Sequence, residues 1–389
     1  MDKVRIGVIG LGNMGAFHAA YLNSIEGAHL TAVCDVDRAR VDRACKDRDI
    51  AGFQTYQQLI DSGAVDAVLV ATPHFQHGEI ARAALAKGLH VLMEKPMAVT
   101  IGDARRTIET QGKSPQLKFA MMFQMRTFPM YRKLRELIAD GELGEISRVT
   151  WLITDWFRTW TYYGSGGWRA TWAGEGGGVL LNQCPHNLDL LPWITGLMPG
   201  RITAVATIGK THPIEVEDEV SAILEYPNGA VGHFVTTTGE APGTNRLEIA
   251  GDRGKLVLER GKIVFTRTRK GVREIRETSP EAFASVEAWD IDIPYGTDSR
   301  EPHTIITQNF VNAILKDQAL ICPGAEGAKG LEIGNAMLMA GITRAPVNLP
   351  LDAGAYEQLL KDLTATYGGR KTVQARPDAV TDITASFKH

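Results

Sequence analysis

The 389-residue chain has only four cysteines, Cys34, Cys45, Cys184 and Cys322, and no Cys-x-x-Cys pair among them. Neither a disulfide framework nor a zinc site is expected, and a reducing cytoplasm is the compartment that fits. No apolar run reaches the roughly 18 residues that span a bilayer, so no membrane association is expected. Met1-Asp2-Lys3 leads directly into an apolar stretch, which leaves no room for the regions of a secretion leader. The formal charge is −3 and no basic stripe runs along the chain, which argues against a nucleic-acid partner. The histidines show no spacing that calls for a metal, no Gly-x-Ser-x-Gly elbow suggests a serine hydrolase, and internal repeats are absent. What remains, 44% apolar and 22% charged residues over this length, describes a globular protein, read here as two domains, 1–123 and 124–389.

The stretch 4–22 organises the first of them. Its apolar, β-branched start (4–9) reads as a buried parallel strand, and the residues after Gly15 have helical spacing. Gly10, Gly12 and Gly15, with Asn13 and Met14 between them, therefore sit at a strand-to-helix turn. Gly10 permits the tight turn, Gly12 lets the backbone approach a pyrophosphate, and Gly15 lets the helix pack on the strand. A second strand (30–35) ends in Asp35, about 20 residues past the last glycine, where a ribose hydroxyl is held. A carboxylate there repels a 2′-phosphate, so NAD is favoured over NADP, with Arg38 as the nearby cation that tempers the preference. Helices at 38–46, 80–87 and 101–111 alternate with strands at 66–71, 89–93 and 117–123. That rhythm is an α/β, Rossmann-type doubly wound parallel sheet, with Asp35, Thr72, His74, Glu94, Lys95 and Gln124 emerging beyond its carboxyl edge.

The second half reads differently. A helix at 130–140 precedes strands at 149–153, 202–208, 220–226, 230–237, 246–250, 255–258 and 263–267, with turns at 227–229 and 259–261. Helices are expected at 186–193, 304–316 and 325–340, and no pattern is visible beyond Gly368. This is an α/β domain with a large, mostly antiparallel sheet whose open face would be covered by a second subunit, in a homodimer or homotetramer.

Two clusters carry chemistry. In Glu94-Lys95-Pro96 the proline keeps Lys95 extended, so its ammonium can stand into the cleft and hydrogen-bond a substrate hydroxyl. In Asn182-Gln183-Cys184-Pro185-His186, Pro185 suits a first helical turn, and a helix N-terminus keeps the His186 ring neutral and proton-accepting. Residues 155–172 hold four of the seven tryptophans, with Arg158, Tyr162, Tyr163, Trp168 and Arg169 among them. Aromatic faces there suit a pyranose ring and the arginines an anionic group or a cofactor phosphate, although a subunit interface has the same composition.

Gly10-Leu11-Gly12-Asn13-Met14-Gly15, Ala71-Thr72-Pro73 with His77, Glu94-Lys95-Pro96, Trp168-Arg169, Gly176-Gly177-Gly178 and His186-Asn187-Leu188-Asp189 occur in an order that resembles the glucose-fructose oxidoreductase, inositol dehydrogenase and MocA (Gfo/Idh/MocA) family. The resemblance spans nearly the whole chain. It implies a Rossmann domain followed by an oligomerising open-sheet domain, and a nicotinamide cofactor. It also implies Lys95 and His186 as the catalytic pair, with Thr72, Pro73, Glu94, Trp168 and Arg169 against the cofactor. One residue departs from it. Four positions before the histidine the sugar and cyclitol dehydrogenases usually carry Asp, and this chain has Asn182, which cannot take up a proton at neutral pH. A proton relay is therefore expected to rest on His186, Lys95 or water.

Three functions follow as expectations. The first is hydride transfer between a ring hydroxyl of a sugar, glycoside or cyclitol and nicotinamide, with Lys95 on the hydroxyl oxygen, His186 as base and Asn182 on the neighbouring oxygen. The second, suggested by Asn182, is an NAD-dependent glycosidase that oxidises its substrate transiently with no net redox turnover. The third, a silent NAD-sensing regulator, is disfavoured by the presence of both Lys95 and His186.

Overall fold

The computed structural model describes residues 2–376. Six strands, β1 (Val4–Ile9), β2 (Ala28–Cys34), β3 (Ala51–Phe53), β4 (Ala67–Val70), β5 (His90–Met93) and β6 (Phe119–Met121), form a parallel sheet in the order β3-β2-β1-β4-β5-β6. β4 is buried along its whole length, which is why it reads as an unbroken apolar run. The strand order reverses between β1 and β4, and their carboxyl ends open the crevice where sheets of this kind bind ligands. The helix His74–Ala86 starts directly after Pro73, a full turn and more ahead of the apolar periodicity that marks it in the sequence. β3 and the helix Tyr56–Asp61 were not foreseen. β3 is three residues long, and at Gly52 a side chain would come within 2.6 Å of Val41, so the helix Arg38–Cys45 lies directly on it.

Nine further strands make the second sheet: β7 (Ile146–Ile153), β8 (Arg201–Ile208), β9 (Glu217–Glu225), β10 (Val231–Thr237), β11 (Asn245–Gly251), β12 (Gly254–Glu259), β13 (Lys262–Thr268), β14 (Ala288–Ile293) and β15 (Val347–Asn348). Their order is β14-β13-β12-β11-β7-β10-β9-β8-β15, antiparallel throughout except for the parallel pair β7 and β10. The turns at 227–229 and 259–261 join β9 to β10 and β12 to β13, with Gly229, Arg260 and Gly261 at positive φ. β8 and β9 alternate between buried and exposed residues. One face packs on Gly327–Thr343, so closely that a methyl at Gly341 would lie 2.5 Å from the Ala206 side chain, while Val205 and Ile223 stand on the open face. β14 was missed because it is an exposed edge strand in which Asp290 and Asp292 alternate with Trp289 and Ile291, so it buries little on either side. The helix Ala353–Tyr367 was also missed, although Tyr356, Leu360 and Leu363 mark a buried face at helical spacing.

The chain returns to the first sheet after leaving the second. The helix Pro302–Lys316 docks beside the first helix, Asn13–Tyr21: the Tyr21 hydroxyl is 2.8 Å from Thr307 Oγ1, and Gln308 exchanges hydrogen bonds with the Glu26 main chain. Residues 369–376 form no helix or strand, and the rest of the tail lies outside the described residues.

Candidate active site

The glycine turn closes around main-chain atoms. Gly10 has φ +90°, and a side chain there would meet the Ala71 carbonyl at 2.6 Å; one at Gly15 would fall 1.7 Å from the Gly10 oxygen. Gly12 differs, because nothing lies within 4 Å of where its Cβ would be. A ligand can thus approach the backbone at Gly12, beside the uncapped start of the helix at Asn13 and Met14. Asp35 sits next to this opening, its carboxylate accepting the N–H groups of Leu11 (2.6 Å) and Asp37 (2.9 Å). The arginine beside it is Arg40, at 3.5 Å; Arg38 instead pairs with Asp42 on the exposed side of its helix.

At the ends of β4 and β6, Thr72 Oγ1 and Gln124 Oε1 are buried without a hydrogen-bond partner. Orphaned polar atoms beside an open glycine turn fit a polar cofactor in this crevice. His77, from the same motif as Thr72, and Glu94 are otherwise engaged. His77 is 1% exposed, and its ring nitrogens face the carbonyl oxygens of Pro96 and Thr72, each at 2.7 Å. No ring atom is left for a ligand, so His77 braces the ends of β4 and β5 against each other. Burial lowers its pKa, although the two carbonyls favour the imidazolium. Glu94 accepts from the buried His18 at 2.7 Å and from the Lys95 N–H at 3.1 Å. Burial works to raise its pKa, but the His18 bond and the surrounding cations outweigh this and hold it at about 2.

Lys95 follows β5 of the first sheet, whereas His186 is carried by a helix of the second domain. The Lys95 ammonium donates to the main-chain oxygen of Asn182 at 2.9 Å. Burial lowers its pKa, with Glu94 and Glu175 opposing the shift and Arg169 and Arg158 adding to it. His186 lies in the first turn of the helix Pro185–Thr195, behind Pro185, and its Nε2 is 3.2 Å from the Gln124 side-chain amide while Nδ1 has no partner. Its pKa is held well below the usual value, first by burial and then by the charge on Lys95, rather than by the helix N-terminus alone.

The Asn182 side chain is clamped from both ends. Its oxygen accepts from the Tyr162 hydroxyl at 3.3 Å, and its amide donates to Glu175. Glu175 is 1% exposed, its other oxygen accepts the Ala170 N–H at 2.6 Å, and burial raises its pKa against the pull of Arg169 and Lys95. This carboxyl adds a titratable group to the three candidates expected for a relay. Nothing in the sequence marks it, since six residues including a glycine turn separate it from Asn182.

The segment 155–172 divides in two. Tyr162 lies at the cleft, with Arg158 and Arg169 over its ring at 5.1 and 4.5 Å and the Arg169 guanidinium on its hydroxyl at 2.7 Å. Trp168 packs edge-on to His74, whose Nδ1 is 3.1 Å from the Glu175 carbonyl. Tyr163, expected to touch substrate, is instead 2% exposed with its hydroxyl on Thr238, and Trp172 is fully buried, so both belong to the core. Lys371 straps the segment from outside, donating to the carbonyls of Gly166 (2.9 Å) and Arg169 (2.7 Å). Among the described residues, no group of three or more His, Cys, Asp or Glu is placed to hold a metal, and no helix is long and apolar enough to cross a membrane.

Residues 4–121 match the model of an oxidoreductase family, NAD-binding Rossmann fold (GFO/IDH/MocA), and residues 131–257 match the GFO/IDH/MocA C-terminal domain. The inositol 2-dehydrogenase of Pseudarthrobacter chlorophenolicus is 30% identical over 276 residues, covering 67% of this chain and 78% of that protein. The inositol 2-dehydrogenase of Corynebacterium glutamicum is 30% identical over 235 residues, covering 59% of this chain and 65% of the relative's length. Among solved structures, the WlbA dehydrogenase from Bordetella pertussis, in complex with NADH and UDP-GlcNAcA, aligns with a TM-score of 0.74 at 24% identity, over 90% of this chain and 100% of that one. Levoglucosan dehydrogenase in complex with NADH aligns with a TM-score of 0.72 at 21% identity, over the same shares. At these identities the structures establish the fold.

Proposed function

Because the chain belongs to the Gfo/Idh/MocA oxidoreductase family, we propose that it is an NAD-dependent dehydrogenase acting on a ring hydroxyl of a sugar, glycoside or cyclitol. The observation that supports this most is the convergence of Lys95, from the end of β5, with Asn182 and His186, from the turn and helix packed against the second sheet, at one crevice. Gly12, Asp35, Thr72, Gln124, Trp168 and Arg169 are the residues that would hold the cofactor, and Asp35 favours NAD over its 2′-phosphorylated form.

A bound nicotinamide supplies the hydride acceptor. Lys95 donates a hydrogen bond to the substrate oxygen, as it does to the Asn182 carbonyl, and so stabilises negative charge as it grows there. His186, buried and neutral, accepts the hydroxyl proton at its imidazole. Asn182, fixed between Tyr162 and Glu175, holds the neighbouring ring hydroxyl, and Tyr162 with Trp168 covers the ring against water. The open sheet face bearing Val205 and Ile223 is packed by a second copy of the chain.

The test is NADH formation with a panel containing myo-inositol, neutral hexoses, hexuronates and their glycosides. Stoichiometric NADH with any of them supports the reading, and none with all of them removes it. The amide at Asn182 favours one rival, redox-neutral glycoside cleavage, in which ring carbon 3 is oxidised, the carbon 1 group is eliminated, water adds and the hydride returns. Aglycone release without accumulated NADH, with solvent deuterium at carbon 2, would replace the first reading with this one.

A further inference from the structure

Glu175 is more deeply buried than Glu94, the other carboxyl beside the lysine, and its contact with Asn182 connects it to Lys95. We infer that Glu175 is a positioning residue for the reaction proposed here: it sets the orientation of the Asn182 side chain and supplies a counter-charge that keeps Lys95 an ammonium. The inference rests on the reading that Lys95 acts on a substrate oxygen.

The geometry separates this carboxyl from an ordinary structural ion pair. Elsewhere in the molecule, the buried Asp189 takes Arg126 directly through two bonds, at 2.8 and 2.6 Å. At Glu175 the nearest arginine, Arg169, stands off at 3.6 Å and gives its hydrogen bond to Tyr162 instead. The carboxyl is aimed at the amide of Asn182, whose main-chain oxygen holds the Lys95 ammonium. Lysine, asparagine and glutamate thus form one continuous chain, and a negative charge at its end favours the protonated lysine at its start. Glu94 is the other carboxylate near Lys95 and the larger of the two in favouring its ammonium, although it also bonds His18; Glu175 adds to it from the Asn182 side. The remaining charged and titratable groups around the pair are Arg158, Arg169, His74, His77 and His186 near Lys95, and Arg169, Lys371, Glu217 and Tyr163 near Glu175.

The pair can also be inverted. In a Glu175→Gln, Asn182→Asp double variant, the introduced glutamine accepts the Ala170 N–H through its oxygen and donates through its amide to the introduced carboxylate. The second oxygen of that carboxylate takes the Tyr162 hydroxyl. Every hydrogen bond is kept and the negative charge moves along the chain to position 182.

The experiment is competitive acetylation of Lys95 against pH in the NAD-loaded protein, read by peptide mass spectrometry, together with the pH profile of kcat/KM on whichever ring polyol forms NADH. Glu175→Gln lowers the labelling pKa of Lys95 by about one unit and moves the alkaline limb of kcat/KM down with it, because an opposite charge has been removed. The double variant returns both to the wild-type value or above it, since the charge is restored on the residue whose main-chain oxygen holds Lys95. A folded Glu175→Gln protein whose Lys95 titration and alkaline limb do not move overturns the inference. If that variant does not fold, the double variant decides: recovery of the titration supports the inference, and a lowered Lys95 pKa in a folded double variant overturns it. If no sugar forms NADH, the dehydrogenase reading fails separately, and the labelling still decides the link between Glu175 and Lys95.

Discussion

Single residues in this site work through what surrounds them. Lys95 and His186 stand out in the sequence because each sits in a short, unusual context, before one proline and after another. Their burial and their mutual influence were not visible there, nor was Glu175, nor the engagement of His77 with two carbonyls. The pH behaviour follows from burial. His186 and His74 are both held well below the usual histidine value of 6.5, burial being the larger cause in each. The unfolded chain therefore binds more protons than the folded one once the pH drops below about 6.5, and stability falls as acid is added through that point. The expected slope is about 1.4 kcal/mol per pH unit for each such histidine. Denaturant midpoints measured from pH 8 to pH 5 check this: the midpoint declines below pH 6.5 in the wild type and declines less steeply in His74→Gln. The same depression keeps His186 able to accept a proton below pH 6.5, so the acid limb of activity is expected beneath that value.

At the scale of the element, the glycine turn separates folding from binding. Gly15→Ala forces a methyl onto the Gly10 carbonyl and must shift the helix Asn13–Tyr21, a change expected to cost about 3 kcal/mol or more. Gly12→Ala meets open space at a φ of −64°, so stability is expected to hold within about 0.5 kcal/mol while the methyl intrudes on the ligand's approach. Denaturant melts and NADH fluorescence titrations of the two variants distinguish these effects; equal destabilisation by both would refute the distinction. The turn 176–182 is built with comparable economy. Glu217 accepts the N–H groups of Gly178 (2.8 Å) and Leu180 (3.1 Å), and burial pushes its pKa up to about 7 in spite of them. Gly178 is confined as well, because a side chain there would lie 1.9 Å from the Glu217 carbonyl. What approaches the triple glycine 176–178 is decided by β9, whose first residue is Glu217.

For the whole molecule, the joint between the sheets is a polar one. Arg126, just after β6, bonds Asp189 on the helix Pro185–Thr195 and also Glu326 ahead of the helix Gly327–Thr343, and both Arg126 and Asp189 are 2% exposed. Asp189→Ala leaves the guanidinium buried with only Glu326 as a charged partner, and a loss of about 3–5 kcal/mol is expected in a denaturant titration. Unchanged stability would mean that the joint is held by the apolar contacts around it. What the sequence determined alone was local and periodic: the glycine turn, the buried parallel strands, the strand runs 202–208 and 220–226, and the helix that begins at Pro185. Each depends on neighbours within a few residues, where φ restrictions and side-chain period act directly. The three-dimensional structure decided the rest. It chose which carboxyl meets Asn182, which arginine stands by Asp35, and which tyrosine of the adjacent pair Tyr162 and Tyr163 faces the cleft. It also returned the helices Pro302–Lys316 and Ala353–Tyr367 to the first sheet's side of the molecule, on contacts made across some 250 residues or more. Those choices turn on burial and charge summed over partners distant in the chain, and no pattern within one segment carries that information.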